Sequence, residues 1–281
     1  MINNQDKYVF GRSQKESERL DAQHKLLLKV TNNTLIHPSI PKEGVLSVAD
    51  VGTGTGIWLK DVSRILDNPQ SQRYYHGFDI SAAQFPAEQA AGNIYFSVQD
   101  ITVPFPKDHW NRYDLVHVRL LVAALEEIEY KSAISNLSAI LKPGGFLQWE
   151  EIDEETYVSD TNSVIQEIRR CFSFSLAAEG KCFAASAKVY EECTAAGFLD
   201  IERLIYRSDA DSDVDLRLDT ETRLAAIIET LYASLLLRSG EVAHEEEAAK
   251  RAGELIEQHW ALCKEGNSPS LKVMRVVARK P

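Results

Sequence analysis

Between residues 45 and 150 the chain alternates short β-type runs with apolar residues at helical period, and this alternation restricts the fold more than any other feature. The runs are VLSVADVG, YYHGFDI, IYFSVQDI, YDLVHVRLL and GGFLQWEEI; after the first, Trp58, Leu59, Val62, Ile65 and Leu66 follow helical spacing. Such units bury themselves as a parallel sheet with helices on both faces, an α/β arrangement. Ligands of these sheets bind beyond the carboxyl ends of the strands, where the strand order reverses. The first, second and fourth runs each carry a polar or charged residue at or near that end.

The flanking segments are helical. Residues 12–37 place Leu20, Gln23, Leu27 and Val30 along one stripe before the break at Pro38 and Pro41. Helices are predicted near 160–178, 220–238 and 242–264, with a further helix, a stop at Gly197 and a strand between the first two. The closing LKVMRVVARKP is another strand. The expectation is a seven-stranded, mostly parallel sheet with one reversed edge strand. Its divisions are an N-terminal helical segment (1–41), a core (42–158), a helical insertion (159–185), and the remaining core (186–281) with a second helical insertion at about 218–265.

Charge narrows the partners. Acidic residues outnumber basic ones by 42 to 31, giving a net charge of −11, which opposes an electrostatic hold on nucleic acid or anionic lipid. A small-molecule partner is expected. No apolar run approaches the ~20 residues that cross a bilayer, and MINNQDKYVFGRS is too polar for a signal-peptide core. These features predict a cytoplasmic protein, as a monomer or homodimer. Cys171, Cys182, Cys193 and Cys263 lack metal-ligand spacing, so no metal is expected and the thiols read as small apolar groups.

The junction DVGTGTGIW narrows the ligand. Gly52, Gly54 and Gly56 lie between a strand and a helix, where bare backbone lets a ligand approach closely. The dinucleotide pattern G-x-G-x-x-G needs a glycine where Ile57 stands, which weighs against NAD or FAD. Asp79, in HGFDIS at the second strand's tip, suits a ribose diol, or alternatively a helix N-cap. At the third tip Asp100 suits an exocyclic amine, with Ile80 and Ile101 on either side of a purine. The loop carries no cation for a pyrophosphate. An adenosine held without phosphates, on a loop preceded by Asp50, points to S-adenosylmethionine.

In their order, DVGTGTG, GFDIS, QDI, YDLVHVR and LKPGGFLQWEE resemble the motifs of class I S-adenosylmethionine-dependent methyltransferases over about residues 45–150. YVFGRSQKESERLDAQHKLL, GTGTGIW, DISAAQFP and LQWEEID are similar to methyltransferases of fungal secondary metabolism, the subgroup with gliotoxin-pathway enzymes and related regulators. The resemblance implies cofactor contacts from Asp50, Gly52, Thr53, Gly54, Gly56, Asp79, Ile80, Ser81, Asp100, Ile101, His117 and Val118. It also implies that the N-terminal helix closes over the cofactor, bringing Tyr8, Arg12 and His24 to it, and that the helices after 160 recognise the acceptor.

Methyl transfer from a sulfonium is an in-line displacement of an activated group, so alignment is most of the task. An OH or NH acceptor also sheds a proton, for which His117 and Glu150 are candidates, with Arg119 holding a cofactor carboxylate or pairing with Glu150 or Glu151. As neighbours on a strand, Glu150 and Glu151 should face opposite ways, so that at most one faces the pocket, the outward one being alternatively a solvated charge. Trp149 reads as an acceptor wall or as packing, as do Phe172, Phe174, Phe183 and Tyr232 in the cap helices. The expected activity is methyl transfer to an O or N atom of a small apolar natural product. Two alternatives keep the fold: a cofactor-binding protein that guides a cyclisation or rearrangement, and a regulatory interaction protein.

Overall fold

A computed structural model describes residues 13–67, 73–86, 93–152, 162–178, 180–182, 184–208 and 214–281. The chain forms two compact units. The first comprises residues 1–152, 184–206 and 273–281, the second 153–183 and 207–272. The second unit thus begins just after the fifth strand and takes up the chain again at 207, earlier than the insertion expected from about 218.

The first unit is built on one seven-stranded sheet in the order β3-β2-β1-β4-β5-β7-β6. Its strands are β1 (Ser47–Val51), β2 (Tyr74–Asp79), β3 (Ile94–Val98), β4 (Tyr113–Arg119), β5 (Leu141–Ile152), β6 (Leu199–Arg207) and β7 (Lys272–Arg279). β1 pairs in parallel with both β2 and β4, β2 with β3, and β4 with β5, while β7 runs antiparallel to β5. The reversed strand is therefore not an edge strand, as the sequence suggested: it lies between β5 and β6, and β6 forms the edge. Strand order reverses between β1 and β4, so a crevice opens at their carboxyl ends.

Among the described residues four helices belong to this unit: α1 (Gln14–Val30), α2 (Ile57–Leu66), α3 (Glu129–Ile140) and α5 (Ala185–Ala195). The Ser13 hydroxyl caps α1 by accepting from the Glu16 N–H, and the helix ends where Asn32 and Asn33 turn left-handed at φ 55° and 56°. Trp58, Leu59, Val62 and Leu66 of α2 join Val48, Tyr75, Leu115 and Val277 of the sheet in one buried cluster. Among the described residues the connections after β2 and β3 hold single 3-10 turns, Ala82–Gln84 and Lys107–His109, and residues 87–92 lie outside that description.

The second unit contains α4 (Ser163–Ala178), α6 (Val214–Arg238) and α7 (Glu245–Lys264). Ile165, Ile168 and Cys171 of α4, Leu224, Ile228, Leu231 and Leu235 of α6, and Ala252, Leu255 and Leu262 of α7 form its buried residues. Arg170 ties α4 to the chain after α6 through Glu167 and Glu241.

A buried ion pair joins the two ends of the first unit's sequence. Arg275 on β7 is 1% exposed and donates from Nε to Glu150 Oε1 at 2.8 Å, while its second arm reaches the Thr34 carbonyl at 2.7 Å. Gln148 donates to Glu150 and to the Leu35 carbonyl and accepts from the His37 N–H, so the linker after α1 is stitched to β5. Removing one partner strands the other charge in the interior. Arg275→Met should therefore cost about 3–5 kcal/mol in urea unfolding, and adding Glu150→Met should recover most of it. Additive losses in the double variant would contradict this account.

Candidate active site

The loop 52–56 leaves β1 and is moored to β2, because the N–H groups of Gly52 and Thr53 both donate to the Phe78 carbonyl at 2.8 and 2.9 Å. Two glycines there have no room for a side chain. Gly52 has φ +75°, and a Cβ on it would sit 2.9 Å from Leu121 Cδ2; Gly56 has φ +71°, with the Phe96 ring 2.7 Å from its Cβ position. Both conformations are ones L side chains rarely adopt. Gly54 turns its N–H to Asp79 Oδ2 at 2.9 Å, and Asp79 Oδ1 accepts from the Ser81 N–H at 3.2 Å. Ser81 in turn caps the 3-10 turn by accepting from Ala83 N–H. The tips of β1 and β2 are thereby locked together around a partly exposed carboxylate.

A row of ionisable groups runs beneath this loop. Asp50 and His117 are register partners on β1 and β4, with His117 Nδ1 2.7 Å from Asp50 Oδ1. Thr53 Oγ1 donates to Asp50 Oδ2 at 2.7 Å. The His117 ring lies flat on Trp58, their centroids 3.6 Å apart. A carboxylate only accepts, so Nδ1 carries the proton and the buried Nε2, which has no partner, is a bare lone pair. Burial lowers the His117 pKa, outweighing the pull of Asp50 in the other direction.

Two residues further on, Arg119 donates to His24 Nδ1 at 3.1 Å, and His24 Nε2 donates to Asp61 Oδ2 at 2.9 Å. α1 is thus pinned to β4 and α2. A second pin joins α1 to the glycine loop, Thr55 Oγ1 donating to Asp21 Oδ1 at 2.6 Å, and Leu20 Cδ1 lies 3.2 Å from the Cβ position of Gly54. Burial, then the Arg119 charge, lowers the His24 pKa.

Several expected roles are not met by this geometry. His117 is completely buried, so its bare Nε2 is closed off from solvent, and Glu150 is held by Arg275. Burial alone would raise the Glu150 carboxyl, but Arg275, His117 and Arg119 hold it below the usual carboxylate range. Arg119 bonds to the His24 ring and, as expected, its charge acts on Glu150, its register partner, while the direct ion pair of Glu150 is with Arg275. Trp149 is a core residue stacked on Tyr130, donating its Nε1–H to Glu151, and forms no acceptor wall. Glu151 is not solvated: it is 1% exposed. Val118 is completely buried, on the face opposite His117.

At the third tip Asp100 Oδ1 accepts from the N–H and hydroxyl of Thr102, Ile101 is buried, and Ile80 is exposed. Phe172 and Phe174 are half-buried in the second unit, where the Tyr232 hydroxyl donates to Glu167. Tyr8, Arg12 and Phe183 lie outside the described residues. Leu121, Asp21, Asp61 and Arg275 went unread, and no spacing in the sequence pairs them with their partners. Among the described residues no group of three His, Cys, Asp or Glu could hold a metal ion, and no helix is long and apolar enough to cross a membrane.

Residues 49–147 match the family model described as a methyltransferase domain. The chain is 40% identical over 154 residues to the methyltransferase grgD of Penicillium sp, covering 53% of this chain and 54% of the relative. It is 32% identical over 145 residues to the N-methyltransferase gliN of Aspergillus fumigatus, covering 51% and 50%. The chain thus spans about half the length of these curated relatives. Among solved structures, a chain from the complex between the Haloferax volcanii Trm112 methyltransferase activator and a methyltransferase superposes with a TM-score of 0.57. It is 15% identical, covering 99% of this chain and 100% of that one, a likeness of fold.

His24 and His117, like buried His76, bind protons less readily folded than unfolded, so their stabilising contribution is complete above the ordinary value of 6.5 and is lost as pH falls below it. Melting temperature should therefore drop on acidification from pH 7 to 5. His117→Asn, whose amide still donates to Asp50 but does not titrate, should flatten that drop. An equal drop in the variant would exclude His117 as its source.

Proposed function

We propose, from the premise that residues 49–147 are a class I, Rossmann-like methyltransferase domain whose cofactor is S-adenosylmethionine, that this chain is an N-methyltransferase of fungal secondary metabolism acting on a small apolar acceptor. One observation carries the reading: a glycine loop without room for side chains, closed by Asp79 through the Gly54 N–H. That cradle fits an adenosine. The Asp79 carboxylate suits a ribose diol, the bare backbone suits close approach, and none of residues 52–56 is a cation demanding phosphate. Bound there, the cofactor supplies a methyl group already activated by its sulfonium.

This chain's residues then supply placement. Gly52, Thr53, Gly54, Gly56, Asp79, Ile80, Ser81, Asp100 and Ile101 would hold the cofactor, with Asp50 shaping the loop from below. α1, pinned through Asp21 and His24, would exclude water from above. Among the titratable candidates at the tips of β4 and β5, His117 and Glu150 are committed to Asp50 and Arg275. An acceptor that already carries its lone pair, an amine, needs no strong base before attack, whereas a hydroxyl does. This chemistry and the name of the gliN relative both favour nitrogen over oxygen. Acceptor recognition falls to the helical second unit, with Phe172 and Tyr232 as its contributing aromatics.

Calorimetric titration with S-adenosylhomocysteine should give saturable binding, and NADH none. His24→Ala should weaken that binding at least fivefold, together with the loss of melting temperature that removing a buried, twice-bonded imidazole brings; unchanged affinity with a lower melting temperature would reject the closing role of α1. With a labelled donor, label should enter small apolar amines in preference to their hydroxyl analogues. The reverse preference would remove the assignment to nitrogen.

A further inference from the structure

Glu151 has no part in the reading above, yet its carboxylate is buried at the carboxyl end of β5 with three hydrogen-bond donors around it. Oε1 accepts from Trp149 Nε1 at 2.7 Å and from the Leu121 N–H at 3.0 Å; Oε2 accepts from the Val122 N–H at 3.3 Å. These two amides open the segment between β4 and α3, immediately after Leu120, which is left-handed at φ 57° and donates its own N–H to the Glu150 carbonyl. The segment therefore folds back on the tip of β5. Its Leu121 side chain is the group that fills the Cβ space of Gly52.

We infer that Glu151 is a positioning residue for the cofactor: its carboxylate latches the Leu121–Val122 backbone, and Leu121 in turn fixes one wall of the glycine loop at Gly52. A non-glycine residue in αL conformation costs on the order of 1 kcal/mol and persists only where its surroundings hold it. The three N–H donors do that holding, and no other side chain bonds these two amides among the described residues. This assignment rests on the proposed use of the loop as the cofactor cradle.

The latch is sensitive to protonation. Burial pushes the Glu151 carboxyl up to about 7, against its hydrogen bonds. The other groups facing it are the Glu150 carboxylate, the Tyr130 ring behind Trp149, and the uncharged Met274, its partner on β7. A proton added to Glu151 belongs on Oε2, which makes the longer bond, and it takes the acceptor from the Val122 N–H. Above pH 7 the carboxylate holds all three donors; below it the hold on Val122 is lost.

Two measurements on the full chain test this. Hydrogen exchange without cofactor, corrected for intrinsic rates, should show protection of the Val122 amide rising about fivefold between pH 6 and 8, the worth of one ordinary hydrogen bond. The change belongs to Val122, whose acceptor is the protonated oxygen, while Leu121 stays bonded to Oε1 and its protection should change little. In Glu151→Gln the Val122 protection should stay at the low-pH level throughout. Titration with S-adenosylhomocysteine should show a matching fivefold gain in wild-type affinity over the same range and none in Glu151→Gln. In a Leu121→Ala background, which keeps the carboxylate, Glu151→Gln should add no further loss. Wild-type binding with affinities equal to those of Glu151→Gln at both pH values would overturn the assignment alone. No wild-type binding at any pH, with the exchange pattern intact, would instead overturn the cofactor reading and the assignment with it.

Discussion

The Asp50 carboxylate is the group on which the rest of the site depends. It lies at the end of β1, 3% exposed, where a charge without partners would be costly. It is stabilised from two sides, by His117 on the neighbouring strand and by the hydroxyl of Thr53 in the loop. The second bond bends the chain back over its own strand and sets the direction in which the three glycines leave. The first demands a proton on the imidazole Nδ1, and the flat stack on Trp58 holds the ring in that orientation. Loop, strand and helix are thus fixed by one acid satisfied in both directions.

Beyond Asp50 the same face of the sheet carries a ladder of opposed charges. Arg119 and Glu150 are register partners on β4 and β5, and Glu150 and Arg275 on β5 and β7. Side chains paired across strands share a face, so the ladder is a geometric consequence of the register. Such rows are poor stabilisers in sum, because desolvation offsets most of the Coulomb gain. They do penalise every register but the native one, since a slip of one residue would turn charges into the opposite, apolar face.

The alternation of runs and helices made the sheet legible before any coordinates, and the glycine loop made its ligand end legible. Pairing across the sheet was not. β7 belongs beside β5, one strand in from the edge, because Arg275 must meet Glu150, and nothing local to VMRVV reports that. His117 and Trp149 look like tip residues in YDLVHVR and LQWEE, but the strands continue past them and carry them inside. Of the two adjacent glutamates at most one was expected to face the pocket, the outward one being alternatively a solvated charge. Both are buried, and each acid found its own set of donors. Periodicity reports which face a side chain takes, not what waits there.

The place of β7 also bears on synthesis. Glu150 and Arg275 lie 125 positions apart, with the whole helical second unit made between them. At about 5–20 residues per second, translation delivers the arginine on the order of ten seconds after the glutamate. For that interval the nascent β5 edge is open and carries a carboxylate that cannot enter the interior at low cost. Until Arg275 has left the ribosome the sheet can pair no further than β5, since β6 joins the other strands only through β7.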